Sequence, residues 1–196
     1  MIAANSTALP TGSAIDKHAV RTPGYEQRVA HALSLLRHAA VSHHGRIVQA
    51  SSLGVEGMVI TDLIARHRLP VVVATLDTGA LHAQTLALIP RIEARYGIRV
   101  ERFAPKPEAT LHFVRQHGAL AMRRGVELRK ACCALRKLEP MERLLHGHEA
   151  WITGLRREQS EHRGDVPFHE ADAHGRDKYY PLADWTDDDV WHYVRV

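Results

Sequence analysis

Two adjacent cysteines, Cys132 and Cys133, stand just ahead of Arg136 and Lys137. On a helix, neighbouring side chains project roughly 100° apart. That spread lets both thiolates reach one multinuclear cluster but suits a single tetrahedral metal poorly. The two cations would lower the thiol pKa values and offset thiolate charge. A cluster normally takes four cysteines, and the chain has two. From these residues alone, a pair of reduced thiols with one in the core is the simpler reading. Adjacent cysteines rarely bond to each other, which excludes a disulfide framework and fits a reducing compartment.

Three further segments carry groups able to meet an anion or a nucleoside. Ser51-Ser52-Leu53-Gly54-Val55-Glu56 offers two hydroxyls and a glycine where a helix begins, with free N–H groups for an anion. It lacks the Gly-Lys-Ser/Thr of a triphosphate-binding Walker loop, and taken alone it is an ordinary serine-capped turn. Leu76-Asp77-Thr78-Gly79 places a carboxylate that could accept from a ribose or adenine group beside a glycine that lets a ligand approach the backbone. It too could be a plain turn. The third segment, residues 154–163, carries Arg156, Arg157 and Arg163. Their planar forks suit sulfate or phosphate oxygens, with a solvated charged loop as the alternative.

The elements that would position these segments alternate between helix and strand. Residues 25–42 put Val29, Leu33, Leu36 and Ala40 on one helical face. Residues 46–52 form a short buried strand, and 53–67 a helix by the spacing of Val55, Val59, Leu63 and Ile64. The β-branched run 71–76 is typical of an interior parallel strand. A loop and helix follow over 77–97, with a kink or break expected at Pro90 and a stop at Gly97. Residues 98–103 are a third strand, 108–124 shorter helices, and 127–146 a long helical segment bent near Pro140. A fourth strand at 149–154 leads into the arginine loop. Near the end, Thr186 and Asp189 have capping-box spacing at the start of a helix. The expected fold is α/β, an open and mainly parallel sheet with helices on both faces, in which ligands bind beyond the carboxyl ends of the strands. All three anion-capable segments follow strand ends.

The bulk properties fit one domain with a real core: 196 residues, 45% hydrophobic and 24% charged. No apolar run approaches the ~20 residues of a membrane span. The first residues lack the basic start and apolar stretch of a secretory signal, so a cytoplasmic location is expected. Residues 1–22, rich in Ser, Thr, Pro and Gly, are expected to be a disordered leader, and 23–196 a single domain. A net charge of +4 suits an anionic partner. Without a dense basic block carrying interleaved aromatics, nucleic acid is not that partner.

Taken in order, five motifs resemble the adenylylsulfate reductases of the phosphoadenylylsulfate and adenylylsulfate reductase family. They are Ser-Ser-x-Gly-x-Glu from Ser51, Leu-Asp-Thr-Gly from Leu76, and Glu-Leu-Arg-Lys-x-Cys-Cys-x-x-Arg-Lys-x-Glu-Pro from Glu127. Trp-Ile-Thr-Gly-Leu-Arg-Arg-Glu-Gln-Ser from Trp151 and Pro-Leu-Ala-Asp-Trp-Thr from Pro181 complete the set. The resemblance implies an adenine-nucleotide α-hydrolase-like fold. It also implies thiol-dependent reduction of adenosine 5′-phosphosulfate to sulfite and AMP, through an S-sulfocysteine that thioredoxin or glutaredoxin resolves. On it, Ser51, Ser52 and Gly54 would line the nucleotide pocket, with Asp77, Thr78 and Gly79 on the adenosine side. Arg156, Arg157 and Arg163 would clamp the phosphosulfate. Cys132 and Cys133 would supply two of four ligands of a 4Fe-4S cluster, with Lys137 between cluster and substrate. A homo-oligomer is compatible with the resemblance.

The sequence also departs from the family pattern. The Cys-x-x-Cys pair and the Glu-Cys-Gly segment that bears the family's nucleophile have no counterpart here, so the domain is expected to be incomplete at its C-terminus and inactive alone. Gly57 stands where an acidic residue is usual, and Ala80 where a basic one is. Competing expectations are the phosphoadenylylsulfate substrate, a non-catalytic nucleotide-binding fragment, and a zinc site joining the cysteines to His146 and His148, whose spacing is poor for zinc.

Overall fold

The computed structural model describes residues 13–160 and 163–196. In chain order the elements are α1 (Ala14–His18), α2 (Tyr25–Ser42), β1 (Ile47–Ser51), α3 (Val55–Arg66), β2 (Val72–Leu76), α4 (Ala83–Leu86), α5 (Leu88–Tyr96) and β3 (Val100–Phe103). They continue with α6 (Pro107–His117), α7 (Val126–Cys133), α8 (Glu139–Leu145), β4 (Ala150–Ile152), β5 (His169–Ala171), β6 (Asp177–Tyr179) and α9 (Asp187–Arg195).

The sheet order is β3-β2-β1-β4-β6-β5. Every neighbouring pair is parallel except β5 with β6. Period-two alternation divides its residues between two apolar layers. Ile47, Val73, Val100 and Ile152 face one layer with Leu36 of α2, Ile60 and Leu63 of α3, Ile92 of α5 and Val190 of α9. Val48 and Ala74 face the other, under Leu144 and Leu145 of α8, with Trp151 packed alongside. Apolar side chains on both faces are what a parallel sheet covered on both sides demands. The expected architecture is the one observed.

Polar contacts inside the first layer set where α3 begins. Gln49 is 1% exposed, and its Nε2 donates to the Gly57 carbonyl at 2.8 Å. The Thr61 hydroxyl lies 3.0 Å from Gln49 Oε1 and 2.8 Å from the same carbonyl. Nothing in the group is left unsatisfied, so β1 and the first turn of α3 are locked in register directly behind Ser51 and Ser52.

Several elements differ from their expected form. The helix break falls at Ala87, between α4 and α5, rather than at Pro90. Pro90 is the third residue of α5, where the missing N–H has no intrahelical acceptor to lose. Gly97 ends α5 in the left-handed conformation at φ 65°. The bend near Pro140 takes the form of a π turn, Ala134–Leu138, joining α7 to α8 with helical backbone throughout. Pro140 cannot donate to the carbonyl four residues back, and the wider turn accommodates its ring. The β5–β6 hairpin was not anticipated. All of β5 is exposed, so it lacks the apolar alternation by which a strand is recognised.

Of the leader expected over 1–22, residues 1–12 lie outside the described residues. Residues 13–22 include α1, which lies along α9; His18 Nδ1 is 3.2 Å from Asp188 Oδ1, and the Thr22 hydroxyl bonds Asp189. No helix of the described residues is long and apolar enough to cross a membrane.

The expected cap opens α9. Thr186 Oγ1 accepts from Asp189 N at 3.1 Å, and Asp189 Oδ2 accepts from Thr186 N at 2.9 Å. Asp189, fully buried, also pairs with Arg28 Nε at 2.8 Å and so joins α9 to α2. Thr186→Ala should cost about 1 kcal/mol, a fall in Tm of roughly 2–4 °C, while Thr186→Ser should stay near wild type. Thermal unfolding followed by circular dichroism measures both.

Candidate functional site

The carboxyl ends of β1, β2 and β4 open onto a cavity of about 260 Å³ lined by Ser51, Ser52, Thr78, Thr153 and Lys137. Leu76, Leu81, Met141, Leu144 and Trp151 make its apolar walls. Lys137 is the single charged residue of the lining, which contains no carboxylate. It forms no ion pair among the described residues, where its neighbour Arg136 donates to the Thr78 carbonyl at 2.7 Å. A lone cation beside hydroxyls and apolar walls suits a flat apolar group carrying an anion, since weak solvent screening strengthens the charge.

The two serines are shaped for this role by their turn. Ser51 Oγ accepts from Leu53 N at 3.1 Å and Ser52 Oγ from Gly54 N at 3.3 Å. Leu53 is held in the left-handed region at φ 59°. Each hydroxyl therefore spends acceptor capacity on the turn and keeps its proton for another acceptor. Gly57 gains a physical account here. A Cβ at that position would sit 2.6 Å from Ser51 Oγ, so glycine makes room for the hydroxyl.

The Asp77-Thr78-Gly79 turn splits between two surfaces. Thr78 faces the cavity, while Asp77 and Gly79 face an adjacent groove lined by Pro105, Leu111 and Val114. Gly79 is left-handed at φ 67° and its N–H donates to Asp77 Oδ1 at 3.1 Å. Asp77 Oδ2 accepts from Arg102 at 2.7 Å, and this bond above all holds the carboxyl below its ordinary pKa.

None of the three arginines expected to clamp an anion lines the cavity. Arg156 is 3% exposed and lies among Glu56, Glu158 and Asp187. Arg157 Nε donates to the Val166 carbonyl at 2.8 Å, and its guanidinium lies 4.9 Å over the Phe168 ring. Arg163 bonds Gln159 Oε1 and is exposed. Gly54 caps α3 behind the serines. Among the cavity residues that sequence reasoning missed, Thr153 and Trp151 both lie in a quoted motif. The signal was available: with Ala150 and Ile152 facing the first core layer, Trp151 must face the second.

Cys132 is buried and Cys133 half-buried, both unbonded thiols on the last turn of α7. Among the described residues no group of three or more His, Cys, Asp or Glu side chains could hold a metal. The zinc alternative finds no support in this geometry: His148 Nδ1 is 3.0 Å from the Leu144 carbonyl.

A parallel α/β sheet with a hydroxyl- and lysine-lined cavity at its carboxyl edge has its opening where open α/β folds bind their ligands. More narrowly, the chain belongs to the phosphoadenosine phosphosulfate reductase domain family, which matches residues 46–196. It is 49% identical over 150 residues to an adenosine 5′-phosphosulfate reductase of Allochromatium vinosum, covering 76% of this chain and 59% of that protein. A Neisseria meningitidis protein of the same name is 48% identical over 159 residues, covering 80% and 65%. The chain thus spans about three fifths of the length of these relatives. The crystal structure of a phosphoadenylyl-sulfate reductase from Candida auris, a phosphate complex, superposes with a TM-score of 0.71 at 26% identity, covering 88% of this chain and 82% of that one. The NAD synthetase of Campylobacter jejuni, at 12% identity and a TM-score of 0.59, shares the fold.

Trp151 supplies a test of how the cavity wall is held. Its Nε1 donates to Asp172 Oδ2 at 3.1 Å, and Lys178 Nζ lies 4.6 Å over its ring. Burial is the largest single influence on Asp172 and opposes its ionisation. The Arg176 side chain and the N–H groups of Arg176 and His174 together outweigh it and bring the pKa down to about 2. A depressed carboxyl contributes stability that is complete above about pH 4 and is lost as pH falls towards its folded pKa. Tryptophan emission should therefore change between about pH 4 and pH 2 in a step that Asp172→Asn lacks. Identical profiles would remove Asp172 from this role.

Proposed function

We propose that this chain forms the nucleotide-binding part of an adenylylsulfate reductase, which reduces adenosine 5′-phosphosulfate to sulfite and AMP in sulfate assimilation. The observation that carries the reading is the cavity at the sheet edge with Lys137 as its one cation. Identity near one half to proteins named adenosine 5′-phosphosulfate reductase supports the choice of substrate. A phosphoadenylyl substrate bears a further phosphate on its ribose, and the cavity lining holds no second cation to receive it.

In this reading the apolar walls receive the nucleoside, the Ser51 and Ser52 hydroxyls donate to its oxygens, and Thr78 borders the adenosine side, with Asp77 and Gly79 on the adjacent groove. Lys137 faces the phosphosulfate. A cysteine thiolate from outside these 196 residues attacks the sulfate sulfur, forming an S–S bond as the S–O bond to the phosphate breaks. The bonding pair leaves on the AMP oxygen, where the Lys137 ammonium offsets the growing charge. A dithiol of the thioredoxin or glutaredoxin type then attacks the cysteine sulfur, releases sulfite, and is itself oxidised to a disulfide. Cys132 and Cys133 supply two thiolates of a 4Fe-4S cluster whose other two ligands also come from outside the chain. Such a protein works in the reducing cytoplasm.

Isothermal titration of the 196-residue protein tests the binding half of this proposal. Adenosine 5′-phosphosulfate should bind at least tenfold more tightly than its 3′-phosphorylated counterpart. Lys137→Ala should weaken it by about tenfold or more, as expected for loss of a charge-assisted contact. Preference for the 3′-phosphorylated nucleotide would overturn the substrate, and failure to bind any adenine nucleotide would overturn the reading itself.

A further inference from the structure

An arginine has five N–H donors and no acceptor, and all five of Arg156's are occupied. Nε and Nη2 reach Glu56 Oε1 at 3.1 and 3.0 Å. Nη1 reaches the Trp185 carbonyl and Glu158 Oε2, each at 3.2 Å, and Nη2 also bonds Asp187 Oδ1. At 3% exposure it has no donor and no open face for a ligand. Three carboxylates surround one guanidinium, so the local field does not favour an incoming anion. The motif position from which an anion clamp was expected is already saturated.

What these contacts join is informative. Glu56 is the second residue of α3, directly after the turn that carries Ser51 and Ser52. Arg156 follows β4 and its cavity residue Thr153. Asp187 and the Trp185 carbonyl belong to the chain entering α9. The guanidinium thus touches all three segments at the sheet edge. The fit is tight. A Cβ added at Gly154 would lie 2.8 Å from Glu56 Cβ, so the β4 loop rests against the first turn of α3. Gln159 Nε2 adds a second donor to Glu56 Oε1 at 3.0 Å.

We infer that Arg156 is a positioning residue: it ties Glu56 to the loops after β4 and β6, and thereby sets the spacing between the Ser51–Ser52 turn and Thr153 across the cavity. The inference rests on reading that cavity as the nucleotide site. Lysine at 156 would keep the charge but cannot bridge three acceptors in a plane. Glutamine at 56 would keep the shape but lose the ionic half of the tie.

The experiment pairs hydrogen exchange with titration of the 196-residue Arg156→Lys and Glu56→Gln proteins, using adenosine and adenosine 5′-phosphosulfate as probes. In both variants amide exchange over residues 52–57 should rise about tenfold, with β1 and β2 unchanged. Affinity for both probes should fall by the same factor, about tenfold. Loss of the phosphosulfate with adenosine unaffected in Arg156→Lys would instead make Arg156 an anion contact and overturn the inference. Unchanged exchange over 52–57 would overturn it equally. If the wild-type protein binds neither probe, the functional reading falls, while exchange still decides the role of Arg156.

Discussion

The first turn of α3 is packed against its surroundings at distances that admit no added atom, and the other features of the sheet edge depend on that packing. From below, the buried Gln49 amide and Thr61 hydroxyl both meet the Gly57 carbonyl. An unsatisfied polar group at such a depth costs about 1–3 kcal/mol, so the three groups hold their register or pay for its loss together. From the side, Gly154 presses on Glu56, and Gly57 leaves space for Ser51 Oγ. Glycine is used here for close approach: both residues have ordinary backbone angles, and what matters is the missing Cβ. The Ser51–Ser52 turn projects from a rigid seat, which permits the left-handed Leu53 to persist.

The cations of this region divide into those already spent and one that is available. Arg156 is bound to three carboxylates, Arg157 to a carbonyl and an aromatic face, Arg136 to the Thr78 carbonyl and Arg102 to Asp77. Each holds one loop of the sheet edge against another. Lys137 alone lines the cavity as a charged group. Guanidinium forks engaged in architecture and an ammonium left facing the cavity follow from their shapes. A planar five-donor fork can join several acceptors in fixed directions, whereas an ammonium on a flexible stem can follow an anion whose geometry changes.

How much of this could be read from the sequence depended on whether the deciding contact was local. β1, β2, β3, α2 and α3 were legible because their apolar periods are carried within each segment, and the α9 cap because Thr186 and Asp189 are three residues apart. The Ser51–Ser52 turn and Thr78 were placed at the sheet edge by their position after strands, Lys137 was expected beside the substrate only through the family resemblance, and the structure brings the three together. Arg156 was not legible as a tether. Its partners Glu56 and Asp187 are 100 and 31 residues away, and an arginine in a charged loop reads the same whether buried or solvated. The contacts of α1 are likewise distant, with α9 at the other end of the sequence. β5 was missed because its stability comes from pairing with β6 and from Asp172, which accepts from His174 N at 2.8 Å and Arg176 N at 3.0 Å to close the turn.

The π turn between α7 and α8 joins the cysteine pair to the cavity wall. It follows Cys133 without interruption and carries both Arg136, fastened to the Thr78 carbonyl, and Lys137, at the cavity. Proline 140 forces the helix to widen here, and widening shifts every residue that precedes it around the axis relative to α8. The same constraint that accommodates a proline thus fixes which face of the segment meets the sheet edge. Four to five residues separate Lys137 from the cysteine pair, roughly 7 Å at 1.5 Å per residue, within one Debye length at physiological salt. Because Arg136 ties the turn to the β2 loop, the segment cannot swing away without also releasing Thr78 from the cavity wall.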